Sequence, residues 1–166
     1  KFLMLSAIAI GFTSVVSAQK TVVDIAVGSE NHTTLVAAVK AADLVATLQS
    51  AGPFTVFAPV NTAFDKLPAG TVATLLKPEN KATLTKVLTY HVVAGNIDAA
   101  AVVKAIKDGN GKAVLTTVSG GKLTASVVEG KVILTDENGG TATVVATDLK
   151  AGNGIVHVID GVVLPK

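Results

Sequence analysis

The sequence contains no cysteine, no tryptophan and no arginine, so all 14 of its basic residues are lysine. Without Cys there is no disulfide framework, no thiolate zinc site and no cysteine nucleophile. Without Arg there is no bidentate guanidinium clamp on a carboxylate or phosphate, and no Arg to read a guanine edge. Charged residues make up 16% of the chain, against about 25% in an average protein. Aromatics are sparse, with five Phe and one Tyr. The pI of 8.9 rests on a net charge of only +2, too little to hold a polyphosphate backbone, and nucleic acid is excluded as a partner. What the chain does hold is aliphatic: 49% of its 166 residues are hydrophobic, chiefly Val and Ala. That is enough for a single domain whose core is built from methyl groups.

Lys1 is followed by an uncharged apolar run from Phe2 to Val16. Val16-Ser17-Ala18 then places small residues before Gln19, as a signal-peptidase site requires. Residues 1–18 are therefore expected to be a cleaved secretory signal. The remainder, 19–166, is expected to be one domain with 13 Lys against 12 acids. The apolar run approaches the ~20 residues of a membrane span, which is the competing reading.

Within that domain the hydrophobic period changes. Leu35, Val36, Val39, Leu44, Val45 and Leu48 recur at helical spacing and predict a helix from Thr33 to Gln49, stopped by Gly52-Pro53. Phe54 to Ala58 reads as a strand. Asn61 is placed to N-cap a short helix over Thr62-Ala63-Phe64. Leu75 to Val92 reads as helical around Pro78, and Asp98 as the cap of a helix from Ala99 to Lys107. From Lys112 onward, Val- and Thr-rich segments alternate with Gly and Asn turns. This predicts strands over Ala113–Val118, Leu123–Val128, Val132–Thr135 and Thr141–Thr147, with a last apolar run over Ile155–Leu164.

No catalytic pattern stands out. No serine sits in a nucleophile elbow, no His lies in a zinc-binding helix motif, and the Gly-rich turns lack a following Lys-Ser/Thr. Neither a cofactor nor a metal is implied. His32 lies in Asn31-His32-Thr33, an N-x-T pattern that reads better as a helix entry. Tyr90, His91 and His157 carry polar tips within apolar segments, and such groups serve structure when their hydrogen bonds are met inside the fold.

Three segments together carry a resemblance. Phe54-Thr55-Val56-Phe57-Ala58-Pro59-Val60-Asn61-Thr62-Ala63-Phe64 resembles the first hallmark segment of fasciclin domains. Tyr90-His91 resembles their central Tyr-His element, and Asn153 to Pro165 is similar to their second hallmark segment. The resemblance implies an α+β fold, a β-wedge of two sheets with helices packed along one side. It implies structural roles for Phe57, Pro59, Asn61, Phe64, His157, Asp160 and Gly161. It also nominates adhesion residues. In matrix members of the family, adhesion is tied to the Tyr-His region and to an Asp-Ile step before the second hallmark segment, here Tyr90, His91, Asp148 and Leu149. Leu149 stands in place of Ile, and Ala146-Thr147 in place of a preceding Glu-Pro.

The leading expectation is a non-catalytic adhesion module, probing an extracellular or cell-surface protein or glycan as a monomer. With a signal, no Cys and one domain, a bacterial source and export to periplasm or medium are expected. The alternative is a carrier of a small apolar ligand or lipid in a helix–sheet cleft. An apolar cavity above about 300 Å³ would favour the carrier. A filled core with an exposed aliphatic patch near Asp148 and Leu149 would favour adhesion. Two outcomes are expected on mutation: His91→Ala lowers stability, and Asp148→Ala leaves the fold intact while weakening adhesion.

Overall fold

The computed structural model describes residues 20–50 and 52–166; the expected signal, 1–18, lies outside the described residues. Among the described residues seven α-helices and seven strands follow in order: α1 Val22–Val27, α2 Thr33–Ala41, α3 Val45–Gln49, β1 Phe54–Pro59, α4 Asn61–Asp65, α5 Thr71–Leu75, α6 Lys81–Tyr90, β2 Val92–Ala94, α7 Ala99–Asp108, β3 Lys112–Thr116, β4 Lys122–Val128, β5 Lys131–Thr135, β6 Thr141–Ala151 and β7 Gly154–Ile159. Among the described residues no helix is long and apolar enough to cross a membrane.

The strands form one mixed sheet in the order β2-β1-β7-β6-β5-β4-β3, with β1 and β7 parallel. The eleven-residue β6 belongs to both halves. Thr141 to Thr143 pair with β5, and Val144 to Ala151 pair with β7. Register shifts at Ala146 and between Ala146 and Leu149 bend the strand, as bulges do. The two sheets of the wedge are thus two halves of one sheet folded along β6. Its free edges almost meet: Val93 bridges Thr117, and the Val118 N–H donates to Val92 O at 2.8 Å. Edge closure of this kind removes templates for aggregation.

Two aliphatic cores follow from this curvature. Inside the curl, Phe57, Tyr90, Leu115, Leu123, Leu134 and Ile159 pack with Val102 and Ile106 of α7. On the other side of β1 and β7, Val56, Ala58 and Val156 meet α1, α2, α4 and α6 through Val22, Leu35, Val39, Phe64 and Leu88. β1 and β7 are therefore covered on both faces, and all six residues of β7 are buried. Central parallel strands read as continuous apolar runs for this reason.

Several sequence expectations need correction. The helix over Thr33–Gln49 is broken between α2 and α3. The Asp43 and Leu44 N–H groups donate back to Lys40 O (3.1 Å) and Val39 O (3.0 Å), a Schellman turn. Asp43 sits at its centre with φ 55°, where Gly is usual. Val92 lies in β2 rather than at the end of a helix, and the final strand stops at Ile159. α1 was not foreseen; its Thr21–Asp24 capping box holds its first turn.

Candidate functional site

The hallmark residues form hydrogen-bonded ties between elements. Asn61 is the clearest correction: it occupies the first turn of α4, and its side chain makes no cap there. Its Oδ1 accepts instead from the Thr34 N–H (3.1 Å) and the Thr33 hydroxyl (3.2 Å), while its Nδ2 donates to Glu30 O (2.9 Å). Asn61 therefore caps α2 from a distance of 27 residues in sequence. Pro59 and Phe64 are buried beside it.

Tyr90 and His91 end α6 as buried anchors facing different elements. The Tyr90 hydroxyl donates to Lys122 O (2.6 Å) and accepts from the Glu137 N–H (3.2 Å), tying the β3–β4 and β5–β6 turns together. Burial raises its pKa, against the opposing effect of the Glu137 backbone bond. Gly121 makes room for the ring, since a Cβ there would lie 2.6 Å from Tyr90 Cε2. His91 Nδ1–H donates to Val87 O (2.8 Å), and its Nε2 accepts from the Val163 N–H (3.2 Å). These bonds assign a neutral ring with the proton on Nδ1. Burial pushes its pKa down to about 4, with the Val87 bond opposing. His32 is buried too, its Nδ1 on the Ser29 hydroxyl at 2.8 Å and its Nε2 without a well-aligned partner. Burial lowers its pKa, and the Ala58 backbone opposes that shift.

The second hallmark segment works in the same way. His157 stacks on Phe57 with ring centroids 5.5 Å apart. Its Nε2 donates to Ile97 O (2.7 Å), and its Nδ1 accepts from the Asp148 N–H (3.4 Å). Asp148 sits in the β6 bulge at φ 60°. Its Oδ1 accepts from the Ala99 N–H at 2.9 Å, while Asp98 Oδ1 accepts from Ala101 N–H at 2.7 Å. Two carboxylates thus meet the positive end of α7, where the helix dipole favours them. Asp160 Oδ1 accepts from the Thr143 N–H (2.8 Å) across the sheet. Gly161 does not adopt a positive φ. It is small because a Cβ would lie 3.0 Å from Thr141 O and 3.1 Å from Ala142 Cβ.

The four residues nominated for adhesion do not form one surface. Tyr90 and His91 are 0% and 2% exposed and present nothing to a partner. Asp148 and Leu149 are exposed on the bulged half of β6. Val145, which the sequence reading missed, joins them there at 57% exposed, with Leu149 at 39%. The only advance signal for Val145 was its doublet with Val144, which breaks the alternation of the strand. Among the described residues no group of three or more His, Asp or Glu side chains is placed to share a metal ion. A cleft between α1, α2, α3 and β1 measures about 220 Å³ and is lined by valines and leucines. It falls short of the ~300 Å³ at which drug-sized or lipid sites begin.

Comparison with known proteins agrees with this arrangement. The family model described as "Fasciclin domain" matches residues 30–165. Protein sll1483 of Synechocystis is 49% identical over 146 residues, covering 87% of this chain and 73% of that protein. Immunogenic protein MPT70 of Mycobacterium tuberculosis is 38% identical over 149 residues, covering 85% of this chain and 68% of that protein. Among solved structures, the FAS1 domain pair from the insect cell adhesion molecule Fasciclin I superposes with a TM-score of 0.75 at 20% identity, over 87% of this chain. This chain spans 51% of that pair. A curled seven-stranded sheet, its helical cover, the Asn61, Tyr90-His91 and His157 ties, and a family match across both hallmark segments lead to one assignment: the chain belongs to the fasciclin domain family.

Proposed function

We propose that this chain is a non-catalytic, exported adhesion module that contacts an extracellular or cell-surface protein or glycan as a monomer. The observation that carries this reading is the bulged half of β6, where Val145 and Leu149 stand exposed beside Asp148. Exposed aliphatics grouped on one strand mark interaction surfaces more often than isolated ones do. The bulge is what presents them, because it turns the strand out of register with β7. Kinship with a domain pair from an insect cell adhesion molecule supports the same reading. Export is supported by the signal-like residues 1–18.

The test is attachment of cells, and of immobilised matrix proteins and glycans, to surfaces coated with the chain. The paired substitutions Val145→Lys and Leu149→Lys should leave the melting temperature unchanged and weaken attachment. Equal attachment by the wild-type and doubly substituted proteins would falsify the assignment of this face.

A further inference from the structure

An apolar cleft, partly open to solvent, lies beneath α1. The walls of the cleft come from α1, α2 and α3, and its floor from Val56, Leu88 and Val92. It holds about 220 Å³, room that a close-packed contact between α1 and the elements beneath it would not leave. An engineered apolar cavity of ~150 Å³ stays dry and takes up benzene. The cleft is thus roomy enough for a small guest and too small for a long-chain lipid.

The chemistry of its lining narrows the guest. The lining holds no Phe or Tyr, and its one ring is the His91 imidazole at the floor, both of whose nitrogens are already hydrogen-bonded, so little in it favours a flat aromatic guest through ring–ring contact. Apart from His91 and Ala26 the wall beneath the lip is Val and Leu, which suits a flexible hydrocarbon chain. Its lip carries three polar residues, Asp24, Lys40 and Gln49. The Asp24 carboxylate is engaged, accepting from the Thr21 N–H and hydroxyl at 2.8 Å each. Lys40 is exposed and makes no salt bridge among the described residues. The lip therefore offers one uncommitted charge, and it is positive.

We propose that this cleft binds a straight-chain monocarboxylate of about six to eight carbons, a size scaled from the fit of benzene in a ~150 Å³ cavity. The chain lies against Val39, Val45 and Leu48, and the carboxylate sits at the Lys40 ammonium. Binding here is independent of the β6 face, so either assignment stands or falls without the other.

The experiment titrates the protein with sodium octanoate and, separately, with n-octanol, following the melting temperature and the methyl resonances of Val39 and Val45. A saturable rise in melting temperature with shifts confined to lining methyls is the expected result. Val36→Phe, which places a ring in the cleft, should abolish the rise. Should that variant fail to fold, Val45→Phe and the wild-type methyl shifts decide the matter alone. Lys40→Gln should weaken octanoate about threefold, the scale of an exposed charge pair, and leave octanol unchanged. No methyl shift at millimolar octanoate overturns the proposal, as does a shift pattern spread over the whole molecule. Tighter binding of benzene than of octanoate, or a dimer that protects the lining methyls without ligand, overturns it equally.

Discussion

Replacing His91 by Ala removes two hydrogen bonds whose partners have nowhere else to turn. Val87 O lies in the last turn of α6, where the helix supplies no N–H; the His91 N–H itself goes to Leu88 O. The His91 ring meets that orphan carbonyl at 2.8 Å and accepts the Val163 N–H at 3.2 Å. With the residue 2% exposed, water does not readily replace either bond. Each stranded group costs about 1–3 kcal/mol, and the lost ring leaves a void that adds to this. A total loss of about 3–5 kcal/mol is expected, which lowers the melting temperature of a domain this size by roughly 10–15 °C. His91→Phe restores most of the volume but neither bond, so it should fall between the two, near ~2 kcal/mol. Urea unfolding and calorimetry measure both variants. An Ala variant that melts within about 3 °C of wild type refutes the structural role of His91.

The same ring makes the fold sensitive to acid. Its folded pKa, pushed down to about 4 by burial, lies below the ordinary 6.5, so the unfolded chain takes up a proton that the native state refuses. Stability is whole above pH 6.5, declines toward pH 4 and levels off below, a loss of ~3 kcal/mol from His91 at most. His32, lowered in the same direction, adds to it. Urea midpoints across that range should fall less steeply in His91→Phe, and equal slopes would clear His91 of the effect. Asn61→Ala should cost about 1–2 kcal/mol by uncapping α2, with faster amide exchange at Thr34 rather than in α4. Gly121→Ala should destabilise by about 1–3 kcal/mol, because the buried Tyr90 ring cannot yield to the new methyl. Asp148→Ala, expected from sequence to be silent in the fold, should instead cost about 1 kcal/mol through the lost α7 cap and its φ of 60°. Asp148→Asn keeps an acceptor and tolerates that backbone, so it isolates the contribution of charge in an attachment assay.

How much was legible depends on how local each interaction is. Asp98 was read correctly as a cap because its partner, the Ala101 N–H, lies three residues on. Asn61 was assigned to the wrong helix because its partner lies 27 residues back, and no local pattern distinguishes the two. The hairpins from Lys112 onward announced themselves through Gly and Asn turns. The break between α2 and α3 did not, because Leu44 and Leu48 prolong the apolar period through it and the turning residue is Asp43. His157 lies between Val156 and Val158. It sits in a strand covered on both faces, where alternation carries no information. Polar tips on Tyr90 and His91 signalled internal partners, but only the closed fold could say that these are Lys122, Glu137, Val87 and Val163. The cleft under α1 was invisible for the plainest reason: α1 itself was not foreseen.

These geometries separate what identifies the family from what any member binds. Phe57, Pro59, Phe64, Tyr90, His91 and His157 are all buried, and each of their polar groups is spent on backbone. A partner approaching the native surface meets none of them. Loss of adhesion on substituting Tyr90 or His91 therefore speaks for unfolding until a melting curve shows otherwise. Residues available for contact are those the fold leaves outside; on β6 these are Thr141 and the run from Val145 to Lys150, of which the proposed face uses Val145, Asp148 and Leu149. The bulge couples the two roles, because Asp148 caps α7 with its carboxylate while its neighbour Leu149 faces solvent. A change of partner can then proceed through Val145 and Leu149 at little cost to stability, whereas Asp148 is held in place by the helix it caps. Measuring stability and attachment on the same three single variants separates these roles, and parity of effect across all three would show that no such division exists.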